Sequence, residues 1–228
     1  MIDEGRRIGA LLEHLGRLAG LHEVIVVDGG SSDDTVRRAR AAGGVRLASG
    51  PRGRASQLNA GAALATGDVL LLLHVDVTPP FDLADRVEET LRDPATVAGA
   101  FRTWTINDTA TTLWFAPLLH LADLRSRYTC HPYGDQALFV RTHTFRAVGG
   151  VPELPIMEDL ELARRLRRAG KIRRVPARVL VSGRRFVARP LHATLMANLI
   201  PLAYRLGVSP DRLRRWYDAA PVAGRASR

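Results

Sequence analysis

Residues 68–76, Asp-Val-Leu-Leu-Leu-Leu-His-Val-Asp, place an unbroken apolar run ahead of a histidine and an acid two positions apart. A run this short, bounded by Gly67 and by polar residues, reads as a buried strand with its chemistry at the carboxyl end. Just before it, ASQLNAGAALATG (55–67) reads as a helix closed by Gly67. The same order occurs earlier. Residues 6–19 place Ile8, Leu11, Leu12, Leu15 and Leu18 at helical spacing, and EVIVVDGG (23–30) is a β-branched run that ends in an acid and two glycines. Ser31 or Ser32 is then expected to cap a helix whose first turn holds Asp33 and Asp34, and VRLAS (45–49) reads as a short strand. Strands alternating with helices predict an α/β fold with a mostly parallel central sheet flanked by helices.

Further along, a helix is expected around 81–92 and a strand at VAGAFRTW (97–104). Residues 105–127 read as helical, QALFVRT (136–142) as a strand, and LELARRLRRAG (160–170) as a helix stopped by Gly170. At 228 residues the chain suits one domain, taken as residues 1–190, with 191–228 as a helical tail. That tail, LHATLMANLIPLAYRLG followed by DRLRRWYD, has two readings. It packs on the domain, or it lies on a membrane surface with Arg212, Arg214 and Arg215 toward head groups and Trp216 at the interface.

The net charge of +10 is carried almost wholly by arginine, Lys171 being the sole lysine. Arginine grips phosphate bidentately, so the excess suits a pyrophosphate substrate, an anionic membrane or nucleic acid, and a GC-rich coding bias produces the same excess. Aromatic residues are only 6%, which argues against specific nucleic-acid binding, where stacking side chains are interleaved with basic ones. The single cysteine, Cys130, permits no internal disulfide. With no leader-like start and no apolar run of about 18 residues, a cytoplasmic location is expected, at the inner membrane face if the tail lies there.

In open sheets, ligands bind at the carboxyl ends of strands. Asp28 ends one apolar run, and His74 and Asp76 end another. A carboxylate there is costly to desolvate without a cation or hydrogen-bond donors, and Mg²⁺ or Mn²⁺ is commonly held by one or two carboxylates together with substrate phosphates. Simple turn capping is the competing role. Glu158 and Asp159 open a helix after a Gly-Gly-Val-Pro turn, where they either complement the helix dipole or supply a general base facing the crevice.

Four segments carry a resemblance: VIVVDGGSSDDT (24–35), GRASQLNAGAALATGDVLLLLHVD (53–76), YGDQALFVR (133–141) and GGVPELPIMEDLELARRLRRAGK (149–171). Together they resemble family 2 glycosyltransferases of the GT-A fold, in particular a compact bacterial subgroup. The resemblance implies a metal-dependent, hexosyltransferase-like enzyme that moves a sugar, with inversion, from a nucleoside-diphosphate sugar to an acceptor hydroxyl. By position, Asp28 would contact the nucleoside, although many relatives have a second Asp where Gly29 stands. Arg54 and Asn59 would line the nucleotide pocket, with helix capping and packing as their competing roles.

His74-Val75-Asp76 stands at the family's D-x-D motif, so Asp76 is the expected ligand of Mg²⁺ or Mn²⁺. His74 contacts phosphate, binds metal as neutral imidazole, or satisfies a buried hydrogen bond, and hard Mg²⁺ favours a non-ligand role. Asp159 is the expected base and Glu158 its neighbour, orienting the acceptor or raising the base's proton affinity. Asp135 and Gln136 would line the acceptor side, where His131 and Tyr133 are equally explained by packing.

In relatives a strand precedes the first helix and leads to an Asn-Glu pair. The chain opens Met1-Ile2-Asp3-Glu4, so that first strand is expected to be missing, through an upstream start or a truncated form, the intact remaining motifs favouring the former. Glu4 matches the acid of the pair and is a nucleotide-site candidate. A tail on the membrane would imply a lipid or lipid-linked acceptor. The competing functions are a nucleotidyltransferase and a catalytically inactive nucleotide-sugar binder.

Overall fold

The computed structural model describes residues 1–108, 123, 132–184 and 190–218, with some side chains of 190–218 excepted. Helix α1 (Gly5–Gly16) forms where the leucine spacing places it, and Ile8, Leu11, Leu12, Leu15 and the following Leu18 are all buried. Strand β1 (Ile25–Asp28), helix α2 (Thr35–Ala41) and strand β2 (Arg46–Ser49) form one crossover unit, with β1 and β2 parallel. The expected serine cap is absent. The backbone N–H and hydroxyl of Thr35 both go to the Asp33 carboxylate, and Ser31 turns back to Asp28. Helix α2 therefore begins later than Ser31 or Ser32 would start it.

Helix α3 (Arg54–Leu64) ends one turn before Gly67, and strand β3 (Val69–Leu72) stops short of His74. After β4 (Val77–Thr78), helix α4 (Leu83–Leu91) leads to the long strand β5 (Thr96–Ile106). Most of the helix expected at 105–127 lies outside the described residues, while Thr105 and Ile106 belong to β5. Strand β6 (Leu138–Arg141) runs directly into helix α5 (Thr142–Ala147). Helix α6 (Glu158–Ala169) is stopped by Gly170, and β7 (Lys171–Ser182), α7 (Pro190–Arg205) and α8 (Pro210–Asp218) follow.

The sheet is mixed rather than mostly parallel. Two strands pair as β1-β2 and five as β3-β6-β5-β7-β4, and only β1–β2 and β5–β7 are parallel. Alternating strands and helices in sequence imply crossovers, but they do not fix which strands become neighbours. Here β6 inserts antiparallel between β3 and β5, which the order of motifs does not reveal. Strand β7, not foreseen, contains Pro176. The ladder with β5 is irregular there, passing from Ala100↔Arg174 to Arg102↔Arg178, so the residue without an N–H sits in a bulge.

Helices cover both faces. Alternation along β6 sends Phe139 to the side of α1 and α4 and sends Leu138 and Val140 to the side of α3, α5 and α6. The tail joins a third cluster, in which Ile200, Ala203 and Leu213 pack with Tyr133, Met157 and Leu160. Between β1 and β3 lies a cavity of about 910 Å³ that runs from α1 to Arg54, His74 and Asp76. No strand precedes α1 among the described residues, and Met1 instead hydrogen-bonds to the end of β1.

Gly99 of β5 lies opposite Phe139 of β6, and a Cβ on it would stand 2.3 Å from the ring. The Gly99→Ala variant is expected to lose about 1–3 kcal/mol of stability by overpacking. In urea unfolding this reads as a lower midpoint at unchanged slope.

Candidate active site

The Asp28 carboxylate closes its own turn. It accepts the N–H groups of Gly30 (3.0 Å) and Ser31 (3.1 and 3.3 Å) and the Ser31 hydroxyl (2.5 Å). Burial alone would raise its pKa, but these donors outweigh burial and hold it below the usual carboxylate value. Asp28 thus shapes the loop at the end of β1.

Asn59 is corrected. It is spent on the backbone of Val151, donating from Nδ2 to the carbonyl and accepting the N–H at Oδ1, each at 2.8 Å. It clasps the Gly149–Pro155 loop to α3 and takes no part in the cavity lining. A side-chain amide bonded at both ends to backbone holds these two segments together.

Arg54 ties the two halves of the site together. Its Nε and one terminal nitrogen lie 2.9 and 2.6 Å from His74 Nε2, and its other terminal nitrogen is 3.2 Å from Glu158 Oε1. Arginine has no acceptor, so Nε2 must accept, and the imidazole is neutral with its proton on Nδ1. That engages one of the two nitrogens through which His74 could bind metal. Gly134 makes room for the contact, because a Cβ there would meet the Arg54 guanidinium and His74 Nε2.

At the start of α6, Asp159 accepts the Gly134 N–H (2.8 Å) at one oxygen and the Leu160 N–H (2.7 Å) at the other. Glu158 beside it is buried. Its pKa is raised, first by burial and then by the Asp159 charge, against the pull of Arg54. The pair is presented by Met157 in the left-handed region, φ 69°, an uncommon conformation for a side chain of this kind, and its own side chain is buried. Asp135 and Gln136 lie on the 3₁₀ turn Gly134–Gln136, directly after the glycine that contacts Asp159, with Gln136 buried. His131 lies outside the described residues.

Asp76 sits just beyond β3. One oxygen is 3.8 Å from Arg184, which forms a bidentate pair with Glu4 at 2.5 and 2.8 Å. Arg184 was not foreseen as a site residue. It follows β7, more than a hundred positions from Asp76, and nothing local to it in sequence signals the pairing. Among the described residues no group of three His, Cys, Asp or Glu side chains stands ready to bind a metal. A carboxylate such as that of Asp76 is the kind of donor that suits a hard cation sharing its ligation with phosphate oxygens and water.

Residues 3–147 match glycosyl transferase family 2. The chain belongs to that family. Its fold is the GT-A fold, shared with solved glycosyltransferases. A mannosyltransferase from Pyrobaculum calidifontis, solved with GDP-Man and Mn²⁺, aligns at TM-score 0.65 and 19% identity over 95% of this chain and 66% of its own. TarS 1–349 from S. aureus aligns at 0.62 and 16% identity over 86% and 63%. Glucosyl-3-phosphoglycerate synthase from Mycobacterium tuberculosis, solved with Mn²⁺, UDP and glucosyl-3-phosphoglycerate, aligns at 0.54 and 18% identity over 78% and 68%. The chain thus spans about two thirds of the length of these solved structures. No curated protein sequence matches it.

The raised pKa of Glu158 has a consequence for stability. The folded chain holds that proton more tightly than an unfolded glutamate of pKa 4.5 does, so protonation favours folding at low pH. This contribution is lost as pH climbs from the unfolded value through the raised one. Urea midpoints across that window should fall more for the wild type than for Glu158→Gln, which cannot ionise.

Proposed function

We propose that the protein is an inverting glycosyltransferase that moves a sugar from a nucleoside-diphosphate sugar to an acceptor hydroxyl, with Asp159 as base and Asp76 as the metal carboxylate. One observation carries the reading: Arg54 reaches both His74, two residues from Asp76, and Glu158, the neighbour of Asp159. The turn that carries Asp76 and the helix start that carries Asp159 are thus bridged by one arginine side chain, which supports a site where donor diphosphate and acceptor hydroxyl meet.

In this reading Asp159 accepts the proton of the acceptor hydroxyl as its oxygen bonds to the anomeric carbon, and the bond to the diphosphate oxygen breaks on the opposite face. The Gly134 N–H fixes the orientation of the base. Asp76 would hold Mg²⁺ or Mn²⁺ with phosphate oxygens, and the ion would stabilise the charge that develops on the leaving diphosphate. Mn²⁺ in the complexes of the mannosyltransferase and of the phosphoglycerate synthase supports a divalent ion of this kind. The nucleotidyltransferase alternative differs in releasing pyrophosphate, and an inactive binder would show no turnover.

With one protein carboxylate, metal and nucleotide should bind together. Thermal shift with UDP and GDP is expected to show stabilisation by at least one nucleotide with Mn²⁺ present, little with Mn²⁺ alone, and loss of the joint effect in Asp76→Ala. Equal stabilisation of the variant would sink the metal assignment. Asp159→Asn should bind donor as the wild type does while kcat drops about a hundredfold or more.

The acceptor is proposed to be lipid or lipid-linked. Leu195, Leu199 and Leu202 form an exposed stripe along α7, continued by exposed Leu206 just beyond it, beside exposed Arg205 and with exposed Arg212 and Arg215 on α8. No described helix is long and apolar enough to cross a membrane, so the contact would be peripheral. Co-sedimentation with phosphatidylserine-containing vesicles, but not with pure phosphatidylcholine ones, is the expected result, reduced in Leu202→Ser/Leu206→Ser. Equal recovery of both proteins with both vesicles would contradict it.

A further inference from the structure

Arg184 is brought to Asp76 by the sheet. Strands β4 and β7 pair antiparallel, with Val77 opposite Val181. One step further along, the Ser182 N–H donates to the Asp76 carbonyl (3.0 Å), and the Gly183 N–H donates to the Ile106 carbonyl at the end of β5 (2.8 Å). A Cβ on Gly183 would stand 2.8 Å from that carbonyl oxygen, so the close approach needs a residue without a side chain. The Ser182 hydroxyl donates to Asp108 (2.9 Å) and accepts the Arg184 N–H (3.4 Å), which fixes the residue that carries the guanidinium.

Glu4, immediately before α1, sets where the guanidinium lies. The Glu4 N–H donates to the Thr35 hydroxyl (2.8 Å), and both carboxylate oxygens of Glu4 accept from Arg184. The terminal nitrogen that lies 2.5 Å from Glu4 is also the one 3.8 Å from Asp76. Arg184 is thus committed to Glu4 and leans on Asp76 at the outer limit of an ion pair. The side chains of Glu4 and Asp76 are only 16% and 15% exposed, so these charges act on one another with little screening by solvent. The Glu4 hydrogen bonds, with the charges of Glu4, Asp76 and Asp108, raise the pKa of Arg184 against the cost of burial, and the positive charge is permanent.

A divalent ion on Asp76 would meet that charge. Metal–oxygen bonds of about 2.1 Å would put an ion on the nearer Asp76 oxygen no more than about 6 Å from the Arg184 nitrogen. Alone, the ion is repelled by a guanidinium that Glu4 keeps from withdrawing. Brought with a diphosphate it is not, because the phosphate oxygens cancel the charge of the ion and offer the guanidinium a pair of acceptors.

We propose that Arg184 is a counter-ion lock on Asp76, which keeps a bare divalent ion out and makes its binding depend on the donor's diphosphate. The lock rests on the reading of Asp76 as the metal carboxylate and adds a regulation to it. Ion and nucleotide each bind more tightly in the presence of the other, by one and the same factor.

Electron paramagnetic resonance of free Mn²⁺, titrated with the protein alone and with UDP or GDP present, tests the lock. Arg184→Gln should bind bare Mn²⁺ about tenfold or more tighter than the wild type, and the further gain from nucleotide should shrink by a similar factor. Arg184→Lys, which keeps the charge, should stay near the wild type. Loss of a residue that only holds the fold would weaken Mn²⁺ binding, not tighten it. Because Arg184→Gln leaves the Glu4 charge without its partner, Glu4→Gln/Arg184→Gln is titrated beside it and should also tighten bare Mn²⁺ binding, by a smaller factor. Bare binding in the double variant no tighter than in the wild type overturns the lock, since any gain in the single variant then belongs to the freed Glu4 charge. Asp76→Asn in the double variant separates the two readings. Loss of the tightened binding keeps Asp76 as the ligand, whereas tightened binding that survives puts the ion elsewhere and sinks the metal assignment, and the lock with it.

Discussion

Arg54 is the contact on which the site depends. Glu158 is buried, and a buried carboxylate needs a counter-charge or a proton. The guanidinium supplies the charge from α3, and the same group holds His74 neutral at the turn beyond β3. Three separated pieces of sequence are thereby drawn together: the start of α3, the His-Val-Asp turn and the start of α6. Gly134 adds a fourth, since its lack of a side chain leaves room for the arginine as placed while its N–H reaches Asp159.

The sheet supports this convergence from behind. The long β5–β7 ladder and the insertion of β6 form a platform with a helical layer on each face. Asn59 then locks the Gly149–Pro155 loop onto α3, which fixes how α6 presents its acids. The left-handed Met157 is tolerated because its side chain is buried with Leu160, Ile200 and Leu213, so the tail helices brace the acidic pair.

Much of this was legible in the sequence because it rests on local physics. The apolar runs of β1 and β3, the leucine spacing of α1 and the glycine stop of α6 are each decided within a few residues. Strand order is not. The antiparallel β6 and the bulged β7 depend on contacts between distant segments, and Pro176 disguises a strand whose irregular ladder can accommodate it. For the candidate site, motif and strand end mark Asp76 and the Glu158–Asp159 pair as candidates, and Arg54 links their two segments. The clasp by Asn59 and the Glu4–Arg184–Asp76 chain could not be read in this way, since each joins residues about ninety to one hundred and eighty positions apart.

The roles proposed for Asp159 and Asp76 imply one displacement at the anomeric carbon, and hence a stereochemical outcome. The anomeric configuration of the first-formed product, followed by proton NMR with a nucleoside-diphosphate sugar of known configuration, tests it most directly. The account predicts inversion with release of the nucleoside diphosphate. Retention of configuration, or release of pyrophosphate, would contradict it.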